Sequence, residues 1–235
     1  MLRELMSIFR SNDAIAAMGE SFNEMLELAR ELTLSAGRFF FVEETSPDAR
    51  TTISKRDVQL NKLQRSIRKQ VIAHLTVGDS EGDAPYCLLL QSLVKDVERI
   101  GDYCKNLVEI YDEGGGPIPD DENAAELREI RVTVEETFAA TGDVFENSDS
   151  ETALDLLRRG REINRRCDLL VSRVARSSYD APTTTTMVLG ARYYKRISSH
   201  LMNVLSGVVM PLHKLDYYDE WAIPEELEGE DDTSA

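Results

Sequence analysis

The chain has 235 residues, 42% of them hydrophobic, enough to bury the core of one large domain or two small ones and too apolar for wholesale disorder. Its formal net charge of −16 and sequence pI near 4.7 argue against nucleic acid as a partner, because a phosphate backbone would repel such a surface. No apolar run approaches the roughly 20 residues that span a bilayer, and Cys87, Cys104 and Cys167 are odd in number and widely spaced, as reduced core thiols are; a cytoplasmic location is expected.

The opening stretch from Met1 to Arg10 carries charge inside its apolar run, unlike the uninterrupted core of a signal peptide. An apolar stripe at alternating steps of three and four then passes through Ile15, Met18, Phe22, Met25, Ala29, Leu32, Ala36 and Phe39 and predicts a long helix, with Ser11 to Asp13 as capping residues. Phe39-Phe40-Phe41-Val42 cannot all be buried by one stripe, which leaves packing between repeats or a partner or dimer contact to cover the rest. Pro47 marks a turn, and a second stripe follows through Leu60, Leu63, Ile67, Val71 and Leu75. Gly78 to Asp83 is a loop by composition, and Pro85 suits the first turn of a third helix carrying Leu90, Val94, Val97, Ile100, Cys104, Leu107 and Tyr111. Gly114 to Gly116, followed by Pro117 and Pro119, ends it.

The second half repeats the plan. Leu127, Ile130, Val134, Phe138, Thr141 and Phe145 stripe a fourth helix. Ser150 is placed to cap a fifth, through Leu154, Leu157, Cys167, Leu170 and Val174. After Ser177 to Pro182, a sixth carries Met187, Tyr194, Ile197, Leu201, Val204 and Val208 and stops near Pro211, while Thr183 to Thr186 are β-prone but too short to count as a strand. From Asp219 to Ala235 the chain holds eight carboxylates and no Lys or Arg, a composition that stays solvated. Helices with single apolar stripes must bury them against one another. The expected fold is all-α, two tandem three-helix bundles: residues 1–113, a linker over 114–122, residues 123–216, and an acidic tail over 217–235. Val97 to Asn106 also lines up with Tyr194 to Asn203, sharing Arg, Ile and Asn at a constant offset of 97 residues (195 − 98), which points to internal duplication.

Glu98, Asp102 and Asn106 lie four residues apart and stack along one helical face beside the buried stripe. The two carboxylates repel, and a bridging cation would relieve that repulsion, since hard and intermediate metals take oxygen ligands. Asp57 and Asn61 have the same spacing on the second helix, and antiparallel packing would let them reach the same ion. The alternative is a solvated surface on which Glu98 pairs with Lys95, Arg99 or Lys105.

Val94 to Leu107, with Glu98-Arg99-Ile100-Gly101-Asp102 and the trailing Asn106, resembles the Glu-Arg-Ile-Gly-Asp helix of the PhoU family. Asp57 to Asn61, followed by Leu63, Ile67 and Arg68, is similar to the acidic second helix of that family's first repeat. The likeness in plan covers about residues 13 to 213, with close motif identity only from Glu98 to Asn106. It implies two three-helix repeats, a metal ion on the first-repeat carboxylates (iron, zinc, manganese or magnesium), and a role restraining phosphate import and signalling. The second repeat departs from the pattern: Lys195 and Ser199 replace its acidic pair, while Asn164 and Asp168 resemble the other half of the site. A Lys195–Asp168 salt bridge is therefore predicted there in place of a metal.

A ferritin-like di-iron oxidase needs paired Glu-x-x-His motifs, and none of His74, His200 and His213 has a Glu three residues before it. His200 itself reads as a packed or solvated side chain rather than a base. The resemblance implies a non-enzymatic adaptor whose partners are the ATP-binding subunit of a phosphate transporter and a phosphate-sensing histidine kinase. The short amphipathic start from Leu2 to Phe9 resembles the junction where PhoU-like domains follow sodium- or proton-coupled phosphate carriers, so an accessory subunit of such a carrier is an alternative. A metal-binding helical protein and a structural homodimer, both without a phosphate role, are the others.

Overall fold

The six apolar stripes become six helices in a computed structural model that describes residues 13–43, 46, 48–77 and 81–215. They are α1 (Asp13–Phe40), α2 (Ala49–Val77), α3 (Ala84–Glu109), α4 (Glu122–Asn147), α5 (Ser150–Val174) and α6 (Ala181–Val209), with short 3-10 turns at Glu81–Asp83 and Leu212–Lys214. No strand occurs among the described residues. The Leu2–Phe9 segment, the caps at Ser11 and Asn12, Pro47, the Gly78–Ser80 loop and the acidic tail lie outside them. Among the described residues no helix is long and apolar enough to cross a membrane. The three cysteines are free and buried, and burial pushes the Cys104 and Cys167 thiols up to about 12.

Two local expectations are corrected, the cap of α5 and the end of the α1 stripe. Asp149, not Ser150, caps α5, accepting from Thr152 N at 3.1 Å and from Thr152 Oγ1 at 2.6 Å. The four threonines from Thr183 to Thr186 lie inside α6, because Asp180 accepts from Thr183 N at 2.8 Å and Pro182 suits the first turn. The α1 stripe ends on fully buried Phe40 while Phe39 is only half-buried, since 3.6 residues per turn drifts away from a strict 3.5-residue repeat. Tyr111 lies beyond α3, where its hydroxyl donates to the Phe40 carbonyl at 2.6 Å and satisfies an end group of α1.

α1 to α3 pack as one three-helix bundle and α4 to α6 as another, and the two meet where α3 lies against α6 and α1 against α4. Their buried side chains form one continuous apolar cluster. Phe40 and Phe41 of the first bundle each place their rings 6.3 Å from that of Tyr194 in the second, and Phe22 sits 4.9 Å from Phe145. Packing between repeats therefore buries Phe40 and Phe41 of the aromatic run, while Phe39 stays half-buried and Val42 is exposed. The connection after α3 is tied to the start of α6, where Gly116 N donates to Pro182 O at 2.9 Å and Thr186 Oγ1 to Gly116 O at 2.8 Å. A side chain at Gly116 would meet the Thr183 backbone nitrogen at 2.9 Å, so the turn requires glycine.

The α3–α6 seam has an internal two-fold character. Residues Asp96 and Tyr103 of α3 correspond, at the offset of 97, to Tyr193 and His200 of α6. At one end of the seam the His200 Nδ1 lies 2.7 Å from Asp96 Oδ1, which also accepts from Asn203 Nδ2 at 2.8 Å. At the equivalent place Tyr103 and Tyr193 pack with ring centroids 6.0 Å apart, and Tyr103 stacks on His200 at 5.7 Å.

Phe40→Ala is expected to lower the free energy of unfolding by about 3–5 kcal/mol, and Phe39→Ala by clearly less. Urea denaturation of both variants measures the difference; equal losses would contradict this placement of the stripe.

Candidate functional site

The acidic face of α3 is brought against α2 by a missing side chain. A Cβ on Gly101 would come 2.5 Å from Leu60 Cδ2 and 3.5 Å from Asp57 Oδ1, so glycine at this position lets α2 approach closely. The approach sets Asp57 beside the α3 face that carries Glu98 and Asp102. Asp57 is 7% exposed, and burial, followed by the charges of Asp102 and Glu109, raises its carboxyl above the usual carboxylate range against the opposing pull of Lys105. Glu98 is half-buried and is raised likewise, by burial first and then by Asp102 and Asp57, with Arg99 and Arg68 opposing. Three carboxylates thus share one electrostatic neighbourhood, as the helical spacings anticipated.

Their partners differ. Asp102 accepts from Arg99 Nη1 at 3.1 Å. Asp57 and Glu98 have no hydrogen bond or ion pair among the described residues, and the Nε of Arg68, whose charge acts on Glu98, is buried without a hydrogen-bond partner. Asn61 and Asn106 are half-buried one turn beyond Asp57 and Asp102, and their side chains make no hydrogen bond among the described residues. For a metal ion, these donors are right in kind, being hard oxygens with uncompensated repulsion. They are not gathered into a cage: among the described residues no three His, Cys, Asp or Glu side chains converge on a point an ion would fill.

In the second repeat the corresponding positions are neutralised. Lys195 Nζ lies 2.5 Å from Asp168 Oδ2 and Arg192 Nη1 3.5 Å from Asp168 Oδ1. The anticipated ion pair forms, but at the surface rather than inside: the Asp168 side chain is 51% exposed and that of Lys195 26%, so the pair contributes at most about 1 kcal/mol. Asn164 Nδ2 donates to Ser199 Oγ at 3.1 Å, and Ser199 Oγ donates back to Lys195 O at 2.9 Å. The Asp96–His200–Asn203 junction between repeats is absent from the sequence reading, which treated His200 alone. Its one legible signal is an acidic residue, Asp96, placed directly before Val97 of the apolar stripe.

Because the Asp57 and Glu98 carboxyls are raised, the folded chain holds more protons than the unfolded chain just above the ordinary carboxylate range. Stability therefore falls as pH rises through that window. Asp57→Asn is expected to flatten the fall and to raise stability at neutral pH, measured as denaturation midpoints against pH in the presence of a chelator.

The sequence matches the PhoU domain model twice, over residues 15–111 and 127–208, one match on each three-helix bundle. No curated protein matches the sequence. The fold is similar to that of the phosphate transport system regulatory protein PhoU from Streptococcus pneumoniae, with 15% identity and a TM-score of 0.72 over 83% of this chain and 93% of that one. It is similar also to PhoU from Pseudomonas aeruginosa, with 18% identity and a TM-score of 0.64 over 91% of this chain and 99% of that one. With both bundles matched and most of its length covered, this chain belongs to the PhoU family.

Proposed function

We propose that this protein is a non-enzymatic regulator of phosphate uptake, a helical adaptor that acts on a phosphate transporter or on the histidine kinase that senses phosphate. The observation that supports this reading is the doubled family match laid on a fused pair of three-helix bundles, the fold shared with a protein described as a phosphate transport system regulator. A single continuous core makes the two repeats a stiff platform, suited to presenting a surface rather than to enclosing a substrate. In-cell crosslinking and capture from phosphate-replete and phosphate-starved cultures tests it. The expected result is recovery of a transporter ATP-binding subunit, a phosphate carrier or a sensor kinase, in amounts that change with phosphate. Recovery of this chain alone, with phosphate uptake unchanged on deletion, would sink the phosphate role and leave the fold.

The first-repeat carboxylates are proposed as an open cation site built from Asp57, Glu98 and Asp102, with Asn61 and Asn106 as flanking oxygens. An ion there would neutralise the mutual repulsion that raises Asp57 and Glu98, and Asp102 would have to exchange Arg99 for it. Calorimetric titration of chelator-treated protein with magnesium, manganese, zinc and iron(II) is expected to show binding that Glu98→Gln with Asp102→Asn abolishes. Binding that survives this double variant but is lost on Lys195→Ala would place the ion in the wrong repeat.

A further inference from the structure

In a chain of net charge −16, α2 is strongly basic. Between Ala49 and Val77 it carries Arg50, Lys55, Arg56, Lys62, Arg65, Arg68 and Lys69 against the single carboxylate Asp57. Arg50 and Arg56 are paired with Asp112 and Glu31, and Arg68 faces Glu98. The others fall on one outward stripe, Lys55, Val58, Lys62, Arg65, Lys69 and Ile72, at steps of three and four. All six are exposed, Val58 and Ile72 to 49% and 60%. None of the four cations on the stripe has an ion pair among the described residues. Three of the arginines of α5 contrast with this: Arg158, Arg165 and Arg166 are paired with Asp155, Glu162 and the Glu126–Glu129 couple.

The chain also contains the complement of that stripe. After Leu215 come 20 residues (235 − 215), with Trp221 and Ile223 among nine carboxylates and no Lys or Arg. Leu215 is buried, and the 3-10 turn before it packs on α3. Gly207, near the end of α6, faces Leu89 and Leu93 in the first turns of α3. The chain therefore leaves the described structure at the end of the molecule where α2 finishes and α3 begins, the end that holds Lys69 and Ile72. At about 3.3 Å per residue the segment reaches about 66 Å, whereas Val58 to Ile72 spans only about 21 Å of helix. Glu24, Glu27 and Glu31 of α1 line the groove beside Lys62 and would repel an acidic segment there, which leaves the crest from Arg65 to Ile72 as the seat.

We infer that the acidic C-terminal segment docks in cis on the exposed cationic crest of α2, its carboxylates on Arg65 and Lys69 and Trp221 beside Ile72. Docked there, it is an internal competitor that any acidic partner of α2 must displace, and salt weakens its hold. The inference stands independently of the phosphate role.

Trp221 is the sole tryptophan, so its emission reports the segment without background. In the full chain at low salt, emission is expected to be blue-shifted and several-fold less quenched by acrylamide than in a synthetic peptide of residues 216–235. High salt, or Arg65→Glu with Lys69→Glu, should return both values to those of the peptide while far-UV circular dichroism is unchanged; Arg159→Glu on α5 should not. Carbodiimide crosslinking of mixed light and heavy chains should join Lys69 to tail carboxylates within one chain. Peptide-like emission in the unmodified chain, a shift lost with Arg159→Glu instead, or crosslinks only between chains would overturn the proposal. So would phosphatidylserine vesicles that bind through Arg65 and Lys69 without altering Trp221 emission.

Discussion

Because α3 and α6 each bury one face within their own bundle and another against each other, the two repeats cannot be separated without opening a single core. Half of α3's 26 residues are buried, among them Leu89, Leu93, Ile100 and Cys104. The seam contains a buried carboxylate, Asp96, whose desolvation is offset by the imidazole of His200 and the amide of Asn203. Removing either donor would leave charge in an apolar seam, so the junction ties the register of α3 on α6 to a particular pair of polar contacts. The aromatic run at the end of α1 completes the weld, with Phe40 and Phe41 wedged against Tyr194.

Duplication in this molecule preserved packing and let polar chemistry diverge. Ile100 and Ile197 are both fully buried at equivalent places. Around them, at the offset of 97, Glu98 corresponds to Lys195, Asp102 to Ser199 and Asp96 to Tyr193. Apolar positions answer to the shared core, where a changed volume is felt at once. Polar positions at the rim are cheaper to change, and each repeat satisfied its own set differently: mutual repulsion and nearby cations in the first, a Lys195–Asp168 pair and an amide–hydroxyl contact in the second. The acidic face is accordingly one-sided, although the fold is nearly two-fold.

Net charge is a poor description of this surface. The value of −16 conceals a helix of opposite sign, and much of the excess acid lies in a segment without a single Lys or Arg. Total charge bears on solubility and on repulsion of nucleic acid, whereas the local field is of opposite sign around α2 and around Asp57 and Glu98.

The six helices and their grouping were legible without coordinates, because a single apolar stripe at helical spacing can be buried in few ways and glycine and proline interrupt it at definite places. The stacking of Glu98 on Asp102 follows from spacing within one helix, and the cationic stripe of α2 has the same helical spacing on its exposed face. Helix ends were less legible: Phe40 displaced Phe39 through a drift of a few degrees per residue, and Asp149 rather than Ser150 caps α5. What only the tertiary structure decided is what lies across from each helix. The meeting of Asp96 with His200 and Asn203 spans more than 100 residues of chain, and no periodicity within either helix encodes it. The burial that raises Asp57 likewise depends on how closely α2 can approach Gly101, a distance set by the packing of two helices against each other and written in neither one alone.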